Sequence, residues 1–339
     1  MDTQRLESQT VQVSVPDRTH HLDLGEGFSS MVSGKPAHWR CRKGPAGVNL
    51  FHRETGLNVL FDEIIVPSSQ YSRAPRQVSI ALTNRCDLAC EHCYAPKTRV
   101  ELPLDRVTAW LDELDKHGTL AIGFGGGEPT LYPKFATLCR YAAEKTGLSV
   151  SFTTHGHHID EELADSLRGS VHFIRVSMDG VGTTYESIRR RSFRDLLSRL
   201  GNIRSISRFG VNVVINDQTF PELDEVARIA ADTGAGELLL LPQIPIQGKP
   251  GISGQTMQQL RQWAFGYLGP LKLSVNESSS EGFPTCDPMA SERGLRSYVH
   301  IDATGVLKPN SYSPSGVQMG LGSVLPALDQ LQYHLKETK

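Results

Sequence analysis

Cys86, Cys90 and Cys93 lie in the run Thr83-Asn84-Arg85-Cys86-Asp87-Leu88-Ala89-Cys90-Glu91-His92-Cys93-Tyr94, directly after a segment that reads as a buried strand. Thiolates are the usual ligands of iron-sulfur clusters, and a four-iron cube held by only three of them keeps one iron open to a further ligand. An open metal position is where chemistry happens. The competing structural reading is a zinc knuckle, which needs four ligands; His92 is the local candidate for the fourth, although its place between two cysteines more naturally turns its side chain away from the same ion. Three unrelated buried thiols would suit free cysteine's preference for cores. Three of the chain's six cysteines within eight residues argue against that.

The elements that must position these thiols read as successive βα units. From about residue 76, short β-branched apolar runs alternate with helical segments, the pattern of a parallel sheet. The strand candidates are 78–82, 120–124, 149–152, 173–176, 211–215 and 238–241. After the cysteine loop, Leu104, Val107, Leu111 and Leu114 recur at helical spacing, with Asp105 and Glu113 on the polar side, so this helix packs one face on the sheet. In parallel sheets ligands bind beyond the carboxyl ends of the strands, so the loops there should carry function. Earlier in the chain, residues 47–52 and 57–61 flank Arg53-Glu54-Thr55-Gly56, a hairpin signal. That small β-rich extension is expected to cap an edge of the main sheet, with strand addition to a peptide as the functional alternative. Pro67-Ser68-Ser69-Gln70-Tyr71-Ser72 reads as the connecting segment.

After the second strand candidate comes Gly125-Gly126-Gly127-Glu128-Pro129, whose glycines let backbone approach a ligand closely. A dinucleotide-binding loop is rejected, because the third glycine of G-x-G-x-x-G is replaced by Glu128. The C-x3-C-x2-C spacing, with His92 just before the third cysteine, and the Gly-Gly-Glu-Pro run one βα unit later together resemble the radical S-adenosylmethionine (radical SAM) superfamily. The resemblance covers roughly residues 76 to 245. It implies a partial (βα)6 radical SAM barrel, one [4Fe-4S] cluster on Cys86, Cys90 and Cys93, and S-adenosylmethionine bound through its amino and carboxylate groups to the open iron. By the same resemblance, Gly125, Gly126, Gly127, Glu128, Pro129 and His92 would contact the cofactor. Thr154 and His155 of the Thr153-Thr154-His155-Gly156 turn would reach the ribose, His155 standing where the family often has asparagine; a turn-stabilising Thr/His pair is the alternative. Ser177 and Asp179 of Ser177-Met178-Asp179-Gly180 would face cofactor or substrate, or form a simple Asp-Gly turn. Asn216 and Gln243 would line the adenine end.

Residues 282 to 313 resemble the SPASM or twitch extension of peptide- and sugar-modifying radical enzymes, whose hairpin ends in G-x4-C. Here the hairpin turns at Gly305 and the cysteine position is Asn310, which leaves Cys286 the one thiol of this region and predicts a single cluster. Cys286 reads as a small core residue or, more sharply, as a donor of a hydrogen atom to a substrate radical. Cys41 and Cys139 read as structural. The expected domains are a β-rich extension and linker over 1–72, a radical SAM core over 73–250, and a degenerate twitch-like hairpin plus helix over 251–339.

With 339 residues the chain can bury a full core, and no apolar run approaches membrane-spanning length. The polar start Met1–Glu7 does not read as a signal peptide, and clustered cysteines suit a reducing compartment, so a cytoplasmic location is expected. A formal charge of -2 gives no footprint for nucleic acid, and Arg189-Arg190-Arg191 reads as a solvated helix face, with anion binding the minority reading. The family resemblance implies reductive cleavage of S-adenosylmethionine to a 5'-deoxyadenosyl radical that takes a substrate hydrogen, with electrons from a donor such as flavodoxin or ferredoxin. A peptide natural product is the leading substrate. A sugar, nucleoside or other small metabolite is the alternative, and a non-catalytic metal-binding module is the reading from another class.

Overall fold

The computed structural model describes residues 11–15, 18–22, 38–246, 248–319 and 323–337; the polar stretch Met1–Glu7 lies outside the described residues. β1 (Val11–Val15) and β2 (Arg18–Leu22) pair antiparallel. β3 (Trp39–Gly44), β4 (Gly47–His52) and β5 (Asn58–Phe61) form a three-stranded antiparallel sheet. The expected hairpin is β4 with β5, and the sequence reading missed β3.

The rest of the chain builds one mixed ten-stranded sheet. In order come β6 (Gln77–Thr83), α1 (Leu104–Lys116), β7 (Ala121–Gly126), α2 (Phe135–Lys145), β8 (Ser149–Thr154), α3 (Glu161–Leu167) and β9 (Phe173–Ser177). Then follow α4 (Gly182–Arg189), α5 (Phe193–Ile206), β10 (Arg208–Ile215), α6 (Leu223–Asp232), β11 (Glu237–Pro242), α7 (Gly254–Gly266) and β12 (Lys272–Val275). The chain closes with β13 (Tyr298–Ile301), β14 (Val306–Lys308), β15 (Val317–Gln318) and α8 (Val324–Glu337). The strand order is β12-β11-β10-β9-β8-β7-β6-β13-β14-β15, parallel from β12 to β13 and antiparallel beyond. All six expected strands are present. β12 adds a seventh parallel strand beyond residue 250, and β13 hydrogen-bonds in parallel to β6, so the C-terminal hairpin is part of the main sheet.

Alternation along the strands sorts two faces. Val78, Ile80, Ile122, Phe124, Val150, Phe152, Ile174 and Val176 are all buried and share one core with Val107, Leu111 and Leu114 of α1 and Leu138 of α2. Leu114 is fully buried there, and its truncation to alanine would cost about 2–5 kcal/mol. The opposite face is polar. In register across adjacent strands stand Lys308, His300, Ser79, Gly123 and Ser151, and further along Arg175 donates to Glu237 at 2.7 Å. Glu113 does not simply face solvent: its two carboxylate oxygens accept the Val324 and Leu325 N–H groups at 2.7 and 3.0 Å, serving the orphan donors at the start of α8.

The three-stranded sheet covers the amino ends of the parallel strands rather than an edge. Arg42, 1 % exposed, donates to Glu292, to the Ala74 and Gly118 carbonyls, and to the Arg296 carbonyl. Arg53 donates to the Ala143 and Thr146 carbonyls before β8. These are carbonyls where helices end and strands begin, groups that burial would otherwise leave unpaired. No helix among the described residues is long and apolar enough to cross a membrane.

Candidate active site

The cysteine loop leaves β6 at its carboxyl end and is held against the glycine loop that leaves β7. The Gly127 N–H donates to the Thr83 carbonyl and the Glu128 N–H to the Arg85 carbonyl, both at 2.7 Å. Only glycine permits this approach. A Cβ on Gly126 would lie 2.1 Å from the Thr83 oxygen, at φ +126°, and one on Gly127 would lie 2.2 Å from the Arg85 oxygen. Gly125 differs: nothing stands within 4 Å of where its Cβ would be, so its backbone borders open space.

Each of the three clustered sulfurs receives its own N–H donor. The Leu88 N–H reaches Cys86 Sγ at 3.4 Å, Arg189 Nη1 reaches Cys90 Sγ at 3.7 Å, and Lys97 Nζ reaches Cys93 Sγ at 3.5 Å. All three are free thiols. Burial pushes the Cys86 and Cys90 thiols up, opposed by the Leu88 N–H at the first and the Arg189 charge at the second. A cavity of about 860 Å³ opens on this loop, lined by Asn84, Arg85, Cys86, Asp87, Lys97 and Glu101 among others. Three soft sulfurs, each with a donor to stabilise negative charge, suit an iron-sulfur cluster, where such hydrogen bonds set the potential. Zinc would need a fourth ligand, and His92 is committed elsewhere.

That commitment is to Asp179. His92 Nε2 lies 3.1 Å and Arg189 Nη2 2.5 Å from Asp179 Oδ2, while the Val214 N–H donates to Oδ1 at 2.8 Å. Asp179 is 1 % exposed; burial alone would raise its pKa, but Arg189 and His92 outweigh it and hold the carboxyl well below the usual range. The arginine run is therefore a solvated face only in part, with Arg190 and Arg191 exposed and Arg189 not. Arg189 is buried between Asp179 and Cys90, and Arg191 donates to Asp87 Oδ2 at 2.5 Å. The motif pattern did not flag Arg189 or Asp87; a charged residue directly beside Cys86 was the available signal.

Asp87 also accepts from His155 Nε2 at 2.9 Å and lies 3.2 Å from His158 Nε2. Burial works against its ionisation, yet His155, His158 and Arg191 hold it below the ordinary carboxylate range. Glu128, 1 % exposed, takes hydrogen bonds from Thr154 Oγ1 at 2.8 Å, from the His155 N–H at 2.9 Å and from Thr130 Oγ1 at 2.7 Å. Glu128, Thr154 and His155 thus brace the β7 and β8 loops around the cysteines, and Pro129 is buried at the start of a 3-10 turn. Ser177 sits on the polar face, in register with Asn212. Asn216 Nδ2 donates to Gln243 Oε1 at 2.8 Å, coupling the ends of β10 and β11, and Lys249 pairs with Glu91 to tie the following loop to the cysteines.

Cys286 is not brought to this site by any contact among the described residues. It is exposed, and three residues later Met289 accepts from Asn49 of β4 at the amino-end sheet. Three residues span at most about 10 Å.

Residues 80–230 match the Radical SAM superfamily. Mycofactocin maturase MftC of Mycolicibacterium smegmatis is 31% identical over 172 residues, 48% of this chain and 43% of that protein. Fe-coproporphyrin III synthase of Methanosarcina barkeri is 31% identical over 166 residues, 46% of this chain and 41% of that one. The chain thus aligns with less than half the length of these curated relatives. Among solved structures, Streptococcus suis SuiB bound to S-adenosylmethionine superposes with a TM-score of 0.65 at 13% identity, over 81% of this chain and 82% of that one. anSMEcpe with bound AdoMet superposes with a TM-score of 0.61 at 16% identity, over 77% and 82%. These likenesses are of fold, and the sequence match locates the family: over residues 80–230 this chain carries a domain of the Radical SAM superfamily.

Proposed function

We propose that this protein is a radical SAM enzyme acting on a peptide, with one [4Fe-4S] cluster on Cys86, Cys90 and Cys93. The observation that carries the reading is the set of three sulfurs, each with a separate N–H donor, on a loop hydrogen-bonded to the glycine run. Bound there, the cluster and S-adenosylmethionine would supply a 5'-deoxyadenosyl radical that removes a substrate hydrogen. The residues of this chain do the positioning. Arg189 holds Cys90 from behind while anchored on Asp179, Glu128 fixes the β7 and β8 loops, and the open edge of the glycine loop leaves polar backbone groups for the methionine moiety. Ser177, Asn216 and Gln243, at the ends of β9, β10 and β11, are the side chains proposed to meet the nucleoside.

The peptide reading draws on the maturase among the sequence relatives and on a solved complex of SuiB with precursor peptide SuiA. Fe-coproporphyrin III synthase, as similar in sequence as the maturase, favours a small-metabolite substrate as the second reading. A flavodoxin or ferredoxin in a reducing cytoplasm is the proposed source of electrons. The test is 5'-deoxyadenosine formation by anaerobically reconstituted protein with dithionite, given extract fractions sorted by size and protease sensitivity. Stimulation by a protease-sensitive fraction supports the peptide; stimulation only by small, protease-resistant material replaces it with the metabolite. No 5'-deoxyadenosine under any condition removes the enzyme reading.

A further inference from the structure

A second cavity, of about 250 Å³, lies between the cysteine loop and the C-terminal hairpin, bordered by Tyr94, Gly126, His300, Asp302, Lys308 and Ser311 among others. It is smaller than the ~300–1,000 Å³ of sites that take drug-sized ligands, so it suits a single residue-sized group. Two of its walls, Tyr94 and Gly126, belong to the loops already assigned to the reaction. The third wall is the hairpin.

The donors of that hairpin converge. His300 and Lys308 are direct register partners in β13 and β14, so both side chains leave the same face of the pair. His300 Nδ1 is engaged within the sheet, 2.5 Å from Ser79 Oγ, which also accepts from Tyr298 OH at 2.7 Å. Nε2 is the ring nitrogen left for the cavity, and burial keeps the ring neutral by lowering its pKa to about 4. With the Ser79 proton directed at Nδ1, Nε2 carries the ring proton and is a donor. Lys308 Nζ contacts Asp302 Oδ2 at 2.8 Å, which leaves the ammonium two further N–H groups. Asp302 itself is spent. Its other oxygen accepts from the Thr304 N–H, Thr304 Oγ1 and the Val306 N–H at 2.9, 2.6 and 3.1 Å, which braces the turn. The cavity therefore offers a cationic donor and a neutral donor side by side, and the one carboxylate on its wall already has its partners.

We infer that this cavity is a carboxylate subsite of the substrate pocket, with Lys308 as the charged anchor and His300 Nε2–H as the second donor. The inference rests on the proposed radical SAM reading and adds the chemistry of the group recognised: the carboxylate of a peptide, from its C-terminus or from an acidic side chain. Lys308 and His300 are positioning residues; neither takes part in bond breaking.

The test uses full-length, anaerobically reconstituted protein and calorimetric titration with four small probes: N-acetylalanine, N-acetylalaninamide, N-acetylaspartic acid α-amide and N-acetylasparaginamide. At least one carboxylate probe is expected to bind about tenfold more tightly than its amide counterpart, as a charge-assisted hydrogen bond should give. Which one does so names the source. Lys308→Met is expected to lose that advantage and Lys308→Arg to keep most of it. Equal binding of acid and amide by the unaltered protein overturns the inference, as does full discrimination by a folded Lys308→Met. If Lys308→Met fails to fold, the acid-against-amide comparison in the unaltered protein still decides. Absence of 5'-deoxyadenosine from the unaltered protein would instead strike the enzyme reading.

Discussion

Arg42 and Arg189 are both buried, and each is paired with a carboxylate that is 1 % exposed, yet they sit at opposite ends of the sheet. At the amino ends, every guanidinium nitrogen of Arg42 has a partner in Glu292 or a backbone carbonyl. At the carboxyl ends, Arg189 spends Nη2 on Asp179 and turns Nη1 to the Cys90 sulfur, while its Nε has no hydrogen-bond partner among the described residues. The first arrangement closes a set of polar groups that burial would leave costly. The second keeps donors aimed at atoms that would carry charge. The lesson is that the stability of a buried ion pair and its chemical use are separable: one end of the sheet is saturated, and the other is left open.

The sharpest break in that comparison is at the sulfurs. Cys90→Ala is expected to abolish cluster binding and 5'-deoxyadenosine formation, a loss beyond the ~10–100-fold that outer contacts of a metal site contribute; iron content and the visible absorbance of the reconstituted protein measure it. A normal iron load in this variant would remove Cys90 from the ligand set. At the other end, Arg42→Ala should cost about 3–5 kcal/mol, because Glu292 is left charged and buried. Denaturant unfolding reads that loss, and iron per folded molecule should not change.

Acid should weaken both ends. His157, beside the cysteine loop's brace, and His172, which accepts the Val150 N–H at 2.9 Å near the amino ends, are each lowered by burial to about 4 from 6.5. Between those two pH values the unfolded chain binds more protons than the folded one. The stabilisation is therefore complete above pH 6.5, is lost progressively as pH falls towards 4, and is bounded at about 3 kcal/mol for each group before solvent screening. His172→Gln should flatten the fall of melting temperature across this window, and an unaltered slope would refute its share. The smallest effect expected is that of Arg189→Lys, which keeps the charge near Asp179 but loses the planar fork that reaches two partners at once. About a tenfold loss in S-adenosylmethionine cleavage with little change in melting temperature is the expected outcome. A large stability loss with normal cleavage per folded molecule would make Arg189 a structural residue like Arg42.

Much of the fold could be read because it is local. The alternation of Val78-Ser79-Ile80, Ile122-Gly123-Phe124 and Val150-Ser151-Phe152 has the period of a strand, and the helix after the cysteines has its own apolar stripe. The same alternation already held the polar inner face at Ser79, Ser151, Arg175 and His300, although only the register of neighbouring strands shows that these residues line up. The cysteine spacing and the glycine run are likewise contiguous, so the sequence by itself determined the family of the domain. Partners far apart in the chain were decided by the tertiary structure. Arg42 meets Glu292, Arg189 meets Cys90, Glu113 starts α8, and β13 returns to pair with β6 across more than two hundred residues. The physical reason is that a charge pattern alone looks the same in water and in a core. Arg189-Arg190-Arg191 reads as a solvated run until packing removes water from Arg189, and Cys286 reads as a candidate donor until the path of the chain carries it towards the other end of the sheet.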